Sequence, residues 1–202
     1  MKPIRIVAIV TGHGEVEAVP ILIRRIAQDL DPALYPEIIT PIRVPESRLR
    51  KNAEIKRTVE LAALKLGGNG GILIFMDCDC KNCCPAKEGP KILKKARSTR
   101  RDILISVVLA KKEFEAWFIA AAKSLRGCRG LLNNLEPAPD PESIRGAKEW
   151  LSNHMNNRCY SETTDQPAFT EKFDFNLARS SNSFDKCYRE IQKLFQRLSQ
   201  YN

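Results

Sequence analysis

The pattern of hydrophobic and polar positions along this chain predicts four buried strands that alternate with helices. Each predicted strand is a short, nearly continuous apolar run, which is typical of a parallel strand covered on both faces. The four runs are residues 4–10, 37–44, 71–76 and 103–110. Between them, apolar residues recur at intervals of three and four, as in an amphipathic helix. The alternation predicts an α/β fold with a mainly parallel four-stranded sheet and helices on both faces.

The composition shifts after Gly127, where a proline-containing loop begins. We therefore divide the chain into an α/β core, residues 1–127, and a helical C-terminal appendage, residues 128–202, that packs on the core as part of one globular unit. The last helix carries one apolar stripe and can be capped by Ser183. The stripe is expected to face the core, since most amphipathic helices do, and docking of a partner is the alternative.

Two carboxylates stand at the end of the third apolar run. Asp77 and Asp79 are two residues apart, and alternate residues of an extended chain point the same way. In open α/β sheets this edge is where ligands bind, and paired carboxylate oxygens suit Mg²⁺ or Mn²⁺. A solvated turn is the competing interpretation, because aspartate is common in turns. The strand context favours a metal site.

The turn after the first strand is the second candidate. Glycines between a strand and a helix let backbone N–H groups approach a phosphate, which makes Gly12, His13 and Gly14 candidate phosphate contacts. The turn is neither a Walker A loop nor a complete GxGxxG motif. If the first and third strands are neighbours, Glu15 lies near Asp77, and converging carboxylates are costly without a cation. Glu15 is therefore a candidate metal ligand, or else an ordinary acid at a helix start.

Charged residues also follow the fourth apolar run. Lys111, Glu113 and Glu115 come directly after it or at its end. In one interpretation the acids simply favour a helix amino terminus. In the other, Lys111 contacts a phosphate, and Glu113 supports a metal or its water.

The overall charge is positive. Lysine and arginine number 33 against 24 acids, giving a net charge of +9, and the excess includes residues 48–51 and 91–101. A basic protein with acids concentrated at one strand edge is suited to a polyanion such as DNA or RNA held near a metal. Solvated helix faces explain the same charge equally well.

The apolar runs and cysteines bear on location. No apolar run approaches 18 residues, so no membrane span is expected, and no signal peptide precedes the first strand. We expect a cytoplasmic protein with reduced thiols. A zinc site is a minor alternative, because the spacing is not that of a zinc ribbon and adjacent cysteines rarely both reach one ion. Its four thiols would be Cys78, Cys80, Cys83 and Cys84.

Several segments of the chain resemble the DUF4276 family, which looks like part of the Toprim-like group. The segments are VTGHGEVEAVPILIRRI, IFMDCDC, VVLAKKEFEAWFIAA and YSETTDQPAFTEKFD. Toprim domains occur in topoisomerases, primases, and OLD-type and RNase M5-type nucleases, where a Glu after the first strand and an Asp-x-Asp after the third bind Mg²⁺. By position, Asp77 and Asp79 match the Asp-x-Asp. Thr11 stands where the Glu is expected, and Glu15 matches a second acid of related nucleases.

The resemblance implies a Mg²⁺- or Mn²⁺-dependent nuclease that acts in bacterial defence with an ATPase partner of the AAA or ABC type. The metal ligands would be Glu15, Asp77 and Asp79. Because Thr11 is a poor metal ligand and no carboxylate base, the alternative is a catalytically silent Toprim-like module that binds nucleic acid or a partner. The residues do not distinguish DNA from RNA, and they assign no role to residues 163–167.

Overall fold

The computed structural model describes residues 3–79 and 84–200. Its sheet has four strands in the order β2-β1-β3-β4, and every pair is parallel. The strands are β1 (Arg5–Val10), β2 (Glu37–Arg43), β3 (Gly71–Cys78) and β4 (Leu104–Lys111). The predicted α/β fold with a parallel four-stranded sheet is therefore confirmed, and the first and third strands are neighbours, as the argument for Glu15 required.

Helices connect the strands and continue to the end of the described chain. They are α1 (Glu15–Leu30), α2 (Glu46–Leu49), α3 (Asn52–Leu66), α4 (Pro85–Thr99), α5 (Glu115–Ala120), α6 (Ala147–Asn153), α7 (Glu162–Thr170), α8 (Phe175–Ala178) and α9 (Asn182–Gln200). The sequence predicts one helix over residues 48–66, but the chain forms α2 and α3 there because Lys51 is extended, with φ −78° and ψ 134°. None of the described helices is both long and apolar enough to cross a membrane.

Two hydrophobic cores lie on opposite faces of the sheet. On the first face, Ala8, Phe75 and Val108 pack with apolar residues of α1, α5 and α9. On the second face, Ile9 and Ile74 pack with those of α3 and α4. The expected helices on both faces are thus present, and strand alternation separates the side chains of each strand between the two cores.

The sequence predicts an edge position for β2, because Pro41 interrupts it, and β2 forms one edge of the sheet. The pairing with β1 steps from Val7 opposite Ile39 to Ile9 opposite Ile42, so β2 contains one extra residue there. Proline has no N–H to donate to a neighbouring strand, and such residues are confined to edges and bulges. The irregularity therefore follows from the residue type.

The C-terminal segment shares the first core with the strands. Phe184 of α9 contacts Trp117 at a ring-centroid distance of 5.2 Å, and the Trp117 indole donates to Ser183 Oγ at 2.8 Å. The apolar stripe of α9 is buried, as expected. Its cap differs from the prediction, because the Phe184 N–H donates to Ser181 Oγ at 3.5 Å. Ser183 instead lies in the first turn and accepts from the indole.

Candidate functional site

Four carboxylates and one lysine gather where β1 and β3 end on the first face of the sheet. We call this group the acid cluster: Glu15, Asp77, Glu115, Glu162 and Lys148. Glu15 is the first residue of α1 and Asp77 lies near the end of β3, so the adjacency of β1 and β3 brings these two acids together. The other three members come from α5, α6 and α7.

Glu15 turns back onto the end of β1. Its Oε2 accepts from the backbone N–H of Thr11 at 2.7 Å and of Gly12 at 2.9 Å, and it lies 3.3 Å from Thr11 Oγ1. The side chain is buried. Burial raises the pKa of Glu15, while the hydrogen bonds from Gly12 and Thr11 oppose the shift. Its carboxylate thus lies against Thr11, the position for which the family resemblance predicts a Glu.

Asp77 is the second acid of the cluster, on the strand next to β1. Its Oδ1 accepts from the backbone N–H of Phe114 at 2.9 Å, which holds the side chain on the first face. Burial raises the pKa of Asp77 well above its ordinary value, and the charges of Glu15 and Glu115 raise it further, while Lys148 opposes them. Like charges that cannot all be solvated are stabilised by a shared proton or by a cation.

Glu115 is fully buried at the start of α5. Its Oε1 accepts from Tyr160 Oη at 2.9 Å and from Gln166 Nε2 at 3.3 Å. Within the described residues, Glu115 Oε2 and Gln166 Oε1 are the buried side-chain oxygens with no hydrogen-bond partner. Burial raises the pKa of Glu115 to about 7, although Lys148 opposes the shift. This carboxyl can therefore change its charge near neutral pH.

Lys148 is the cation that faces these acids. Its Nζ donates to Glu162 Oε2 at 2.9 Å and lies 4.0 Å from Glu115 Oε1. Burial would lower the pKa of Lys148, but the charges of Glu115 and Glu162 outweigh burial and raise it. The ammonium group is thus kept charged, and it is 40% exposed. A charged lysine beside carboxylates can hold an oxyanion without a change of protonation.

Glu113 lies at a helix amino terminus, but at that of α6 and not that of α5, which follows it in the chain. Its Oε1 accepts from the backbone N–H groups of Gly146 and Ala147, each at 3.2 Å. These amides lie at the amino terminus of α6, where an acid is favourable. Glu113 therefore anchors the helix that carries Lys148, and it influences the acid cluster through that helix.

The other predicted site residues lie further from the cluster's centre. Asp79 is exposed, and its carboxylate is 4.0 Å from Lys112 Nζ. Lys111 pairs in register with Cys78, which belongs to the second face, whereas Asp77 belongs to the first. The Lys111 ammonium lies 3.6 Å from Glu142 Oε2 and borders a groove of about 670 Å³ between α4 and α9. The structure does not bring Lys111 beside Asp77.

The amides of the glycine turn are engaged by carboxylates of the chain itself. Those of Thr11 and Gly12 donate to Glu15, as described above, and that of Gly14 donates to Glu162 Oε1 at 3.3 Å. His13 is exposed, and Arg43 Nη2 lies 2.5 Å from its Nε2. Of the predicted phosphate contacts, Gly12, His13 and Gly14 are therefore grouped at the start of α1, next to the acid cluster, whereas Lys111 is not.

The zinc alternative falls partly outside the described residues, since these do not include Cys80 and Cys83. Burial raises the pKa of Cys78 to about 11, which favours a neutral thiol. Among the described residues, no group of three or more His, Cys, Asp or Glu side chains is arranged to hold a metal ion by itself.

Sequence reasoning missed four residues of this site. Lys148, Tyr160, Glu162 and Gln166 all lie in the C-terminal segment. Glu162 and Gln166 are four residues apart and share a face of α7. The apolar residues of this segment show no helical periodicity from which the helix could have been predicted. Glu115 offered a weak signal, because it is an acid between Phe114 and the apolar residues of α5. Lys148 is one of 33 basic residues, and no feature of the sequence distinguishes it from the others.

Comparison with known proteins finds one family. The model described as "Domain of unknown function (DUF4276)" matches residues 10–192. No curated protein and no solved structure matches the chain. The match spans β2 to β4 and most of the C-terminal segment, so the acid cluster lies entirely within it.

Proposed function

We propose that this chain, which belongs to the DUF4276 family, is a metal-dependent nuclease with its active site at the acid cluster. The observation that supports the proposal is that the adjacent strands β1 and β3 bring Glu15 and Asp77 together at their carboxyl ends. Burial, and then the charge of Glu15, raises the pKa of Asp77. Perturbed acids in such a position are typical of functional sites. A divalent cation would relieve the repulsion between them.

The residues present fit Mg²⁺ or Mn²⁺ in one particular way. Mg²⁺ keeps several waters and is usually bound through one or two carboxylates together with substrate phosphates. Glu15 and Asp77 would supply those carboxylates, and Asp79 could contribute from the exposed side. Beside them lies buried Glu115 Oε2, an oxygen that has no hydrogen-bond partner within the described residues. When bound, the metal supplies Lewis acidity that activates water and offsets charge on the phosphate.

The chain's own residues would position the phosphodiester. The Lys148 ammonium, charged and partly exposed, would hold a phosphate oxygen, the role that the sequence gave to Lys111. Glu115 would keep Lys148 in place, and Tyr160 would orient Glu115 through its hydrogen bond. Glu113 would fix the start of α6. These residues would contact the sugar-phosphate backbone of the nucleic acid and not its bases, so we propose cleavage without sequence specificity.

Plasmid cleavage with Mn²⁺ tests the proposal. Asp77→Asn keeps the size of the side chain but removes its charge, and we expect it to abolish cleavage. The matched control is Asp102→Asn. Asp102 is an exposed aspartate just before β4, at the end of the sheet opposite to the acid cluster, and its loss should leave cleavage unchanged. Equal cleavage by wild type and Asp77→Asn would reject the assigned site.

The second candidate function is a catalytically silent nucleic-acid or partner-binding module. Thr11 at the end of β1 supports it, because the family resemblance predicts a catalytic Glu there. Calorimetric titration with Mn²⁺ separates the two. An enzyme should show a site that weakens in Asp79→Ala, whereas a silent module should show no such site yet still bind DNA or RNA with strong salt dependence. A large gain of cleavage in Thr11→Glu would indicate a degraded site.

The wider setting belongs to the same proposal. We place the nuclease in the cytoplasm, in bacterial defence, with an ATPase partner of the AAA or ABC type. Co-purification with such an ATPase, and cleavage that depends on it, would support this assignment. Sequence-specific cutting by the isolated chain would overturn it.

A further inference from the structure

Glu162 lies at the position where the sequence predicts a bound phosphate. Its Oε1 accepts from the Gly14 N–H at 3.3 Å, at the start of the 16-residue helix α1. Its Oε2 accepts from Lys148 Nζ at 2.9 Å. The two carboxylate oxygens therefore contact a helix amino terminus and an ammonium group, which are the donors that commonly bind phosphate in proteins.

The glycines of the turn make room for this contact. A Cβ on Gly12 would lie 2.8 Å from Glu162 Oε1. A Cβ on Gly14 would lie 2.3 Å from both Gln166 Oε1 and the main-chain oxygen of Glu162. Gly14 has φ −66°, a conformation open to any residue. Glycine is thus required here because α7 approaches closely, and the turn is shaped around the Glu162 side chain.

Gln166 gives independent evidence of an unmet partner at the same place. It is buried, and its Oε1 has no hydrogen-bond partner within the described chain. That oxygen points at Gly14, since it lies 2.3 Å from the position that a Cβ on Gly14 would occupy. Leaving a buried polar atom unpaired is costly. A ligand that donates there would remove the cost, such as a phosphate group that carries a proton or a water that enters with it, while Gln166 Nε2 keeps its hydrogen bond to Glu115 Oε1.

We propose that Glu162 is an internal substitute for a phosphate group. Its carboxylate holds the anion position between the Gly14 N–H and Lys148, and a phosphate of a nucleic-acid strand displaces it when substrate binds. The displaced side chain moves outward, toward the solvent that already reaches 30% of it. This rests on the proposed function for the identity of the ligand, but it concerns binding alone and needs no metal.

The proposal makes Glu162 a residue that weakens substrate binding. Every phosphate must first break the contacts of Glu162 with Gly14 and Lys148, so the intact chain binds less tightly than its donors allow. An oxyanion at a helix amino terminus interacts favourably with the aligned peptide dipoles. Removing the competing charge should therefore strengthen binding.

Fluorescence anisotropy with a labelled single-stranded oligonucleotide in EDTA is the test. Glu162→Gln keeps an oxygen that can accept from Gly14 but loses the charge and releases Lys148, so we expect about fivefold tighter binding. The matched control is Glu17→Gln, because Glu17 is an exposed acid in the same first turn of α1. That variant loses the same charge and should bind within about twofold of wild type. Glu162→Gln binding no tighter than Glu17→Gln would overturn the proposal.

A second variant and a direct probe keep the test decisive if Glu162→Gln folds poorly. Glu162→Asp preserves net charge but shortens the side chain by one methylene, so it should lose contact with Gly14 and still bind more tightly than wild type. Titration with inorganic phosphate should move the Gly14 amide resonance at lower phosphate concentration in this variant than in wild type. Equal titration curves would count against displacement. Probes with and without a 5′-phosphate separate a terminal phosphate from an internal phosphodiester.

Because these measurements contain no metal, their failure is distinct from that of the nuclease assignment. Loss of the Glu162 effect with intact Mn²⁺-dependent cleavage would reject only the substitution of phosphate by Glu162. Tighter binding by Glu162→Gln in a chain that cuts nothing would reject only the nuclease.

Discussion

Two fully buried carboxylates, Asp165 and Glu115, have opposite charge environments. Asp165 accepts from Arg129 Nε at 2.6 Å and from Arg158 Nη2 at 2.6 Å, and also from the Ser161 N–H at 2.8 Å. Glu115 has one lysine at 4.0 Å, which it shares with other acids, and an oxygen with no partner in the described chain. The loss of a fully paired buried acid leaves its partners uncompensated, whereas an underpaired acid is available for binding or catalysis.

The largest effect on stability should come from the paired acid. Asp165→Asn leaves two guanidinium groups without their anion, and we expect the free energy of unfolding to fall by about 3 kcal/mol. Urea denaturation followed by circular dichroism measures it. Asp140→Asn, at an exposed loop position, is the control and should change stability by less than about 0.5 kcal/mol. A loss below about 1 kcal/mol for Asp165→Asn would remove the contrast between the two sites.

The underpaired acid should behave in the opposite way. Burial raises the pKa of Glu115 from its ordinary 4.5 to about 7, so between these values the folded state holds a proton that the unfolded state has lost. The stabilising contribution of Glu115 is thus complete below pH 4.5 and is lost as the pH rises through 7. Glu115→Gln cannot ionise, so its stability relative to wild type should increase by about 1 to 3 kcal/mol between pH 4.5 and 8.

Thermal unfolding of both proteins across this pH range checks the expectation. The readout is the difference between the two proteins, because acids outside the acid cluster titrate equally in both. Tyr160→Phe is a useful companion, since it removes a hydrogen bond to Glu115 without changing charge. If the difference in stability between Glu115→Gln and wild type stays constant with pH, the charge of Glu115 is compensated to the same degree as that of Asp165.

The smallest effect on stability should come from Asp79. Its side chain is 56% exposed and lies 4.0 Å from Lys112, and exposed ion pairs of this kind contribute little. Asp79→Asn should therefore unfold within about 0.5 kcal/mol of wild type. Calorimetry with Mn²⁺ then compares it with Asp77→Asn. We expect Asp77→Asn to abolish Mn²⁺ binding and Asp79→Asn to weaken it. The reverse order would show that the metal does not bind on the first face.

The sequence predicted the sheet well because strand signals are local. Five apolar residues before Asp77 identify a buried strand without knowledge of its neighbours, and Pro41 marks an edge strand through its missing N–H. The acid pair of Glu15 and Asp77 needed one further assumption, that β1 and β3 are adjacent. The single helix predicted over residues 48–66 was wrong because extended Lys51 divides it.

The rest of the site depends on contacts between distant segments. Glu115, Lys148 and Tyr160 meet only because α5, α6 and the start of α7 fold together, and no local spacing encodes that meeting. Lys111 shows a related difficulty, since its side of the sheet depends on the register of β4 against β3, where it lies opposite Cys78. A shift of one residue would have placed it on the first face.

The position of α9 in the chain has a consequence for synthesis on the ribosome. This helix covers β4 and β3 on the first face, and its residues 182–200 emerge after every strand has been made. Until then Trp117 lacks its contacts with Phe184 and Ser183, and the nascent chain presents aromatic surface beside a sheet whose first face is incompletely covered. Such surfaces promote aggregation. Production of this protein should therefore benefit from slower translation or added chaperone, and chains that stop before residue 182 should accumulate as insoluble material.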